Sequence, residues 1–169
     1  MQSFNRRTWL DPRIEVRPSI IEGRGLFANA SIPAETIVER WGGIVLTDDQ
    51  LQAHKAGKYS AAAIGEGINL LQDLDDPVAC GNHSFDPNLW MVDEATVATR
   101  RNIAPGEELT IDYATHTVDP TWSMACRCGS APCRGIVTGD GWRRADLRER
   151  YQDHFSPFIN RRIATEQSS

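Results

Sequence analysis

Apolar and polar positions along this chain mostly alternate over short runs broken by Gly or Pro, a pattern that predicts strands joined by turns. Ser19 to Glu22 reads as a short strand running into the turn Gly23-Arg24-Gly25, with Leu26-Phe27-Ala28 apolar enough to be buried. A Pro turn at Ile32-Pro33 leads into the β-branched run Thr36-Ile37-Val38, which ends at Gly42-Gly43. That arrangement has a loose echo from Ile103 to Ile111. Tyr59 to Asp76 is small, Gly-broken and then acidic, predicting hairpins or a loop. Leu89 to Ile103 alternates as two short strands, and Pro105-Gly106 turns the chain into a further strand over Leu109 to Tyr113.

Helical signals are few. Thr47 to Ala56 predicts a helix with Thr47 as its N-cap and Asp48 and Asp49 in its first turn. Arg143 to His154 predicts the one long helix, charged on one face with Leu147 and Tyr151 on the other, and Phe155 to Ala164 a second short one. Met1 to Arg17 reads as an extended lead-in. The fold class is therefore mainly β with a helical C-terminal tail.

At 169 residues the chain is long enough for one domain with a real core. The net charge of −5 argues against nonspecific binding to nucleic acid, where basic surface supplies most of the affinity. Twelve carboxylates lie between Ile44 and Val118 against only Lys55, Lys58, Arg100 and Arg101, whereas both ends are Arg-rich. An acidic middle suits a cationic peptide, and equally suits a solvated face. No apolar run approaches the ~20 residues that span a membrane. Met1 to Arg7 lacks the apolar stretch of a signal peptide, so the expected location is cytoplasmic or nuclear.

Three stretches carry candidate chemistry. Asn82-His83-Ser84, closed by the turn residues Asp86-Pro87-Asn88, crowds polar groups between apolar runs and by itself describes a hydrogen-bonded turn. Gly106-Glu107-Glu108-Leu109-Thr110-Ile111-Asp112-Tyr113 is the second. Cys126, Cys128 and Cys133 form the third. Disulfides are awkward in so short a window, and C-x-C-x4-C reads as thiolates gathered on one soft metal such as zinc.

Together these blocks resemble the SET domain of protein-lysine methyltransferases with its post-SET zinc segment, and Gly23-Arg24-Gly25-Leu26-Phe27-Ala28 resembles the family's opening cofactor turn. The resemblance covers roughly Ile20 to Ile136. It implies small curved sheets with a knot-like threading of the C-terminal segment. Its expected divisions are a lead-in over 1–18, a SET domain over 19–116, a post-SET cysteine segment over 117–138 and a helical tail over 139–169.

The implied activity is methyl transfer from S-adenosylmethionine to a lysine side chain of a protein or peptide, with no membrane or direct nucleic-acid partner. The alternative is a catalytically silent SET-like module that binds a peptide or partner; a small zinc-ribbon interaction protein would account for the cysteines alone. A lysine must be neutral to attack, and its free pKa is about 10.4. A dry channel and a neighbouring sulfonium both disfavour ammonium.

The resemblance makes Tyr113 the catalytic residue, orienting the amine. It assigns Arg24, Gly25, Tyr59, Asn82, His83 and Tyr113 to the cofactor, and Cys126, Cys128 and Cys133 to zinc with no identified fourth ligand. Ile111, two residues before Tyr113, falls near the channel wall. Several positions depart from the pattern. Phe85 stands where the family commonly has the fourth zinc cysteine, with Cys80 upstream of that place. Gly43 replaces a common acid, and Arg40 a common aromatic. Thr138 stands where an aromatic often covers adenine, and Trp142 is close enough in sequence to substitute.

Overall fold

The computed structural model describes residues 7–54 and 59–168. Residues 1–6 of the lead-in and the last two positions of the predicted helix over 47–56 lie outside them.

Short strands dominate, as the alternation predicts. Strands β1 (Trp9–Leu10), β4 (Ile37–Arg40), β10 (Thr96–Thr99) and β9 (Leu89–Met91) form one antiparallel sheet in the order β1-β4-β10-β9. A second sheet runs β2 (Ile14–Pro18), β3 (Arg24–Ala28), β11 (Glu108–Ile111), β8 (Asn82–His83). Its last pair is parallel, with Thr110 beside Asn82 and Ile111 beside His83. The hairpin β6 (Ser60–Gly65)–β7 (Ile68–Gln72) adds β5 (Ile44–Thr47) on its other edge. Finally, β12 (Ser123–Ala125) pairs with β13 (Ile136–Thr138).

The lead-in is thus more than extended chain, because β1 and β2 each add an edge strand. Ser19 to Glu22 is not a strand. The chain bends there, and Gly23 adopts a φ of 46° that strand pairing does not accept. The echoed Pro turns meet in space: Ile32 and Ile103 exchange backbone hydrogen bonds of 3.1 and 2.8 Å. Gly43 is also required by geometry, since a Cβ there would lie 2.1 Å from the Leu71 carbonyl oxygen.

Helix α1 (Asp48–His54) begins where its cap predicts. Thr47 accepts from the Gln50 amide at 3.3 Å, and Gln50 accepts from the Thr47 amide at 2.9 Å, a reciprocal capping box. The long helix expected over Arg143 to His154 is instead α2 (Ala145–Tyr151), ended by Gln152 at a φ of 46°. After a 3-10 turn, Ser156-Pro157 starts α3 (Pro157–Gln167), which is longer than its prediction.

Two apolar clusters divide the molecule. The larger joins the strands through Leu26, Ile32, Val38, Leu70, Leu89, Val97 and Leu109. The smaller holds Trp142, Leu147, Tyr151, Phe155, Phe158 and Ile159 against Ala63 and Ala114. Full burial of each such large side chain stabilises the fold by about 1.5–3 kcal/mol. The second cluster matters for the site because Ala114 belongs to the turn after β11.

Candidate active site

The parallel β8–β11 pair brings residues 82–83 against residues 110–111, and local hydrogen bonds then shape the turn after β11. Asp112 is fully buried and caps the 3-10 turn Tyr113–Thr115 by accepting from the Ala114 amide at 3.0 Å. Tyr113 therefore opens a turn, where the sequence predicted the end of a strand. The other Asp112 oxygen accepts from the Tyr151 hydroxyl of α2 at 3.0 Å. Ser156, at the start of α3, donates its amide to the Thr115 carbonyl at 2.8 Å. The C-terminal arm thus clamps the turn that carries Tyr113.

His83 accepts the Tyr113 amide at Nδ1, 3.1 Å away. Burial pushes its pKa down to about 3, helped by the charge of Arg134, so the ring is neutral with its proton on Nε2. Its 3.6 Å approach to Asp112 is consequently not an ion pair. Burial likewise holds His116 neutral, down to about 3. The Tyr113 ring meets both imidazoles edge-on, and its hydroxyl donates to the Gly81 carbonyl at 2.8 Å. Burial, then the charge of Glu39, raises the Tyr113 pKa above the ordinary tyrosine value, so the phenol is protonated.

Asn82 spreads its amide over the carbonyls of Glu22 (3.2 Å) and Arg24 (3.0 Å) and over Glu108 Oε1 (2.9 Å). Glu108 also accepts from Ser19, so its role here is to hold β3, β8 and β11 together. Gly25 leaves the space this carboxylate occupies: a Cβ would lie 2.1 Å from Glu108 Oε1.

A cavity of about 560 Å³ opens beside this junction. Tyr59, Gly81, Asn82, His83, Ile111, Tyr113 and Cys126 all line it. Arg24 and Gly25 do not, although the Arg24 carbonyl is bonded to Asn82. The wall also includes residues that the sequence did not single out as a set: Glu39 and Trp41 from the end of β4, Gln72, His116 and Trp122. Trp122 tilts against Tyr113 with ring centroids 6.2 Å apart. Trp142 does not take that place, because it is buried in the C-terminal cluster beneath Arg143. None of the departures at Phe85, Gly43 and Arg40 faces the cavity; Arg40 is exposed, with its guanidinium over Trp9.

This fold has counterparts among known proteins. The SET domain family model matches residues 23–114, more than half of the chain. The chain belongs to the SET-domain family. Drosophila melanogaster histone-lysine N-methyltransferase ash1 is 36% identical over 146 residues, covering 78% of this chain. Human histone-lysine N-methyltransferase 2B is 31% identical over 139 residues, covering 73%. Methyltransferase flvH of Aspergillus flavus is 32% identical over 96 residues, covering 55%. The chain spans 7%, 5% and 53% of their respective lengths. The fold is also that of the methyltransferase domain of human histone-lysine N-methyltransferase SETMAR, with a TM-score of 0.64, 21% identity, and coverage of 76% of this chain and 58% of that one.

The family implies S-adenosylmethionine as cofactor, and the cysteine cluster suits a metal. For S-adenosylmethionine the cavity offers aromatic faces at Tyr113 and Trp122, backbone at Gly81, and a buried Gln72 Nε2 with no partner among the described residues. Those features suit an amphipathic ligand carrying acceptors. For a metal, the sulfurs of Cys126, Cys128 and Cys133 all lie within 4.8 Å of one another, close enough for three ligands on one tetrahedral ion. Burial opposes ionisation of Cys128, but the Ser130 hydroxyl and the backbone N–H groups of Phe85 and Ser130 outweigh it and lower the thiol to about 6.

Among the described residues no fourth Cys, His, Asp or Glu joins the cluster. Phe85 is wholly buried, with the Arg134 guanidinium 3.9 Å from its ring centre, and Cys80 lies in the main core. The cluster fits three bonds of a zinc ion. No helix among the described residues is long and apolar enough to cross a membrane.

Proposed function

We propose that this chain is a protein-lysine N-methyltransferase that takes its methyl group from S-adenosylmethionine, and that the 560 Å³ cavity is where cofactor and lysine meet. The observation that carries the reading is the placement of Tyr113. Its ring lies on the cavity wall in a turn clamped from both sides, with a protonated hydroxyl beside the Gly81 carbonyl. Bound cofactor supplies the electrophilic methyl. Asn82, His83, Tyr59 and Gln72 hold the polar ends of that ligand, and Arg24 and Gly25 contribute through the backbone that Asn82 fixes. The Tyr113 hydroxyl orients the attacking amine, so its contribution is proximity and alignment rather than a covalent bond.

The substrate in this reading is a lysine on a protein, with a basic sequence around it to suit the acidic middle of the chain. Ile111 is buried and on the cavity wall. It has no polar atom to hold a water or fix the amine after a first transfer, which favours more than one methyl per lysine. Zinc on Cys126, Cys128 and Cys133 would be structural, holding the hairpin that carries Trp122 on its approach.

Incubating the protein with radiolabelled S-adenosylmethionine and a mixture of core histones and cell-extract proteins should label a protein band. Tyr113→Phe should lower that labelling at least a hundredfold while cofactor affinity stays within about threefold, the pattern of an interaction used in turnover. Full activity in the variant would remove Tyr113 from the catalytic role. Mass spectrometry of the labelled lysine should show di- or trimethylation.

A further inference from the structure

Asp11, Glu39 and Asp112 are carboxylates buried among the described residues. Asp11 pairs with Arg13 and Asp112 caps the Tyr113 turn, but Glu39 has no such use. It is 3% exposed, near the end of β4, between Leu10 of β1 and Val97 of β10. Apolar neighbours of that kind make a carboxylate costly. Its hydrogen bond comes from the indole Nε1 of Trp41, two residues along the chain, at 2.7 Å. That bond joins no distant parts of the molecule, so structure alone gives no reason for an acid here. An acid is nevertheless present, and both Glu39 and Trp41 line the cavity.

The surroundings of Glu39 identify what it suits. Trp41 stacks edge-on against His116 at 5.0 Å, and His116 against Tyr113 at 5.5 Å, so carboxylate and phenol stand on one continuous stretch of wall. Among the described residues, Tyr113, His116 and His83 are the ionisable groups facing this part of the cavity, and all three are uncharged at neutral pH. Tyr59, Cys126 and Asp119, which accepts from Thr121, line the same cavity but are partly exposed. Glu22 and Arg127 pair with each other at the exposed mouth, 3.0 Å apart. Among the described residues this stretch of wall therefore carries one buried acid, beside the tyrosine that orients the amine.

We propose that Glu39 is the group that receives the target ammonium and takes its proton. The inference rests on the methyltransferase reading and adds a step to it. A proton moves from the lysine nitrogen to a Glu39 carboxylate oxygen, and the freed nitrogen lone pair becomes the nucleophile. That pair forms the new N–C bond as the methyl–sulfur bond breaks onto sulfur. The product nitrogen is again cationic and carries a proton, so each further methyl requires Glu39 first to release its proton through the cavity mouth. Burial raises the Glu39 pKa to about 7, and the Trp41 indole, by favouring the ionised form, stops it rising further. Against a free lysine near 10.4, this narrows the mismatch from roughly six to roughly three logarithmic units before the channel lowers the amine. Trp41 acts through Glu39 and is a positioning residue.

The test uses n-butylammonium as probe and 1-butanol as its uncharged counterpart, read from the Trp41 indole N–H resonance of the whole chain. In the wild type the resonance should titrate with a midpoint near pH 7. The amine, and not the alcohol, should shift it, with affinity falling about tenfold from pH 8 to pH 6 as Glu39 gains its proton. Glu39→Gln keeps an acceptor for the indole and every other titrating group. It should lose the midpoint and at least tenfold of the amine response, while binding S-adenosylmethionine as the wild type does. If Glu39→Gln fails to fold, the wild-type comparison of amine with alcohol across pH decides alone. Equal responses to the two probes, amine binding indifferent to pH, or an unchanged response in a folded Glu39→Gln would overturn the proposal. Absence of S-adenosylmethionine binding in the wild type would instead overturn the methyltransferase reading, whatever the amine does.

Discussion

At the β8–β11 junction, Asn82, His83 and Asp112 are buried, Asn82 bonded to Glu108 of β11 and His83 to the Tyr113 amide; across the same cavity, β12 and β13 carry Trp122's neighbours on a hairpin whose thiols stay partly exposed. The first region is held by a core. Leu109 and Ile111 are buried beside its polar groups, and α2 and α3 brace its turn. The second has little apolar cover: Ser123, Ala125, Ile136 and Thr138 are exposed, and only Val137 is buried. Small segments without a core need a covalent or metal staple. One wall is thus stable by folding and the other by the ion its cysteines would hold.

The largest effect should come from removing that ion. Chelation, or Cys133→Ser, should raise amide exchange of residues 123–138 a hundredfold or more, since structural zinc contributes on the order of 10 kcal/mol to small sites. The main thermal transition should move by less than about 3 °C. A core that melts together with the hairpin would erase the distinction between the two walls.

Acid should act on the junction instead. Both His83 and His116 have folded pKa values lowered to about 3 from the ordinary 6.5, so the unfolded chain binds protons that the folded chain refuses. Their contribution to stability is complete above about pH 6.5 and declines as pH falls towards 3. Between pH 6.5 and 5 each imidazole costs at most about 2 kcal/mol. Glu39, raised to about 7, titrates with the opposite sign over this range. Denaturant melts of the Glu39→Gln variant should therefore show the loss, with His116→Asn on that background removing about half of it. Flat stability over that range would mean that the imidazoles are not buried neutral.

The smallest expected change is in the ligand contact. Asn82→Ala should weaken S-adenosylmethionine about tenfold in calorimetry, the ~1.4 kcal/mol of a lost buried hydrogen bond and the loosened β3 backbone. Unchanged affinity would leave Asn82 a purely internal brace.

The two regions also differ in how far the sequence announced them. Asn82-His83 and Tyr113 are named by short motifs, and C-x-C-x4-C by spacing, because each is written in neighbouring residues. Thr47's cap and the hairpin over Tyr59 to Asp76 were legible for the same reason. What stayed hidden depends on long-range packing. Trp122 reaches Tyr113 and Trp142 does not, although either fits the chain's length, because Leu147 and Tyr151 draw Trp142 into their own cluster. Tyr151 had only an apolar helix face to show, and nothing local linked it to Asp112. Glu39 looked like one polar position in an alternating strand; only the sheet shows that it pairs with half-buried Leu10 on one side and buried Val97 on the other. The break at Gln152 likewise reflects the need to bring both Tyr151 and Ser156 onto one turn.

Hydrogen exchange with and without S-adenosylmethionine tests most directly whether these two walls enclose one cofactor site. Saturating ligand should protect residues 81–84 at the junction and residues 122–126 on the hairpin together, and leave α3 unchanged. Protection of neither segment, or protection confined to α3, would contradict the assignment of the cavity.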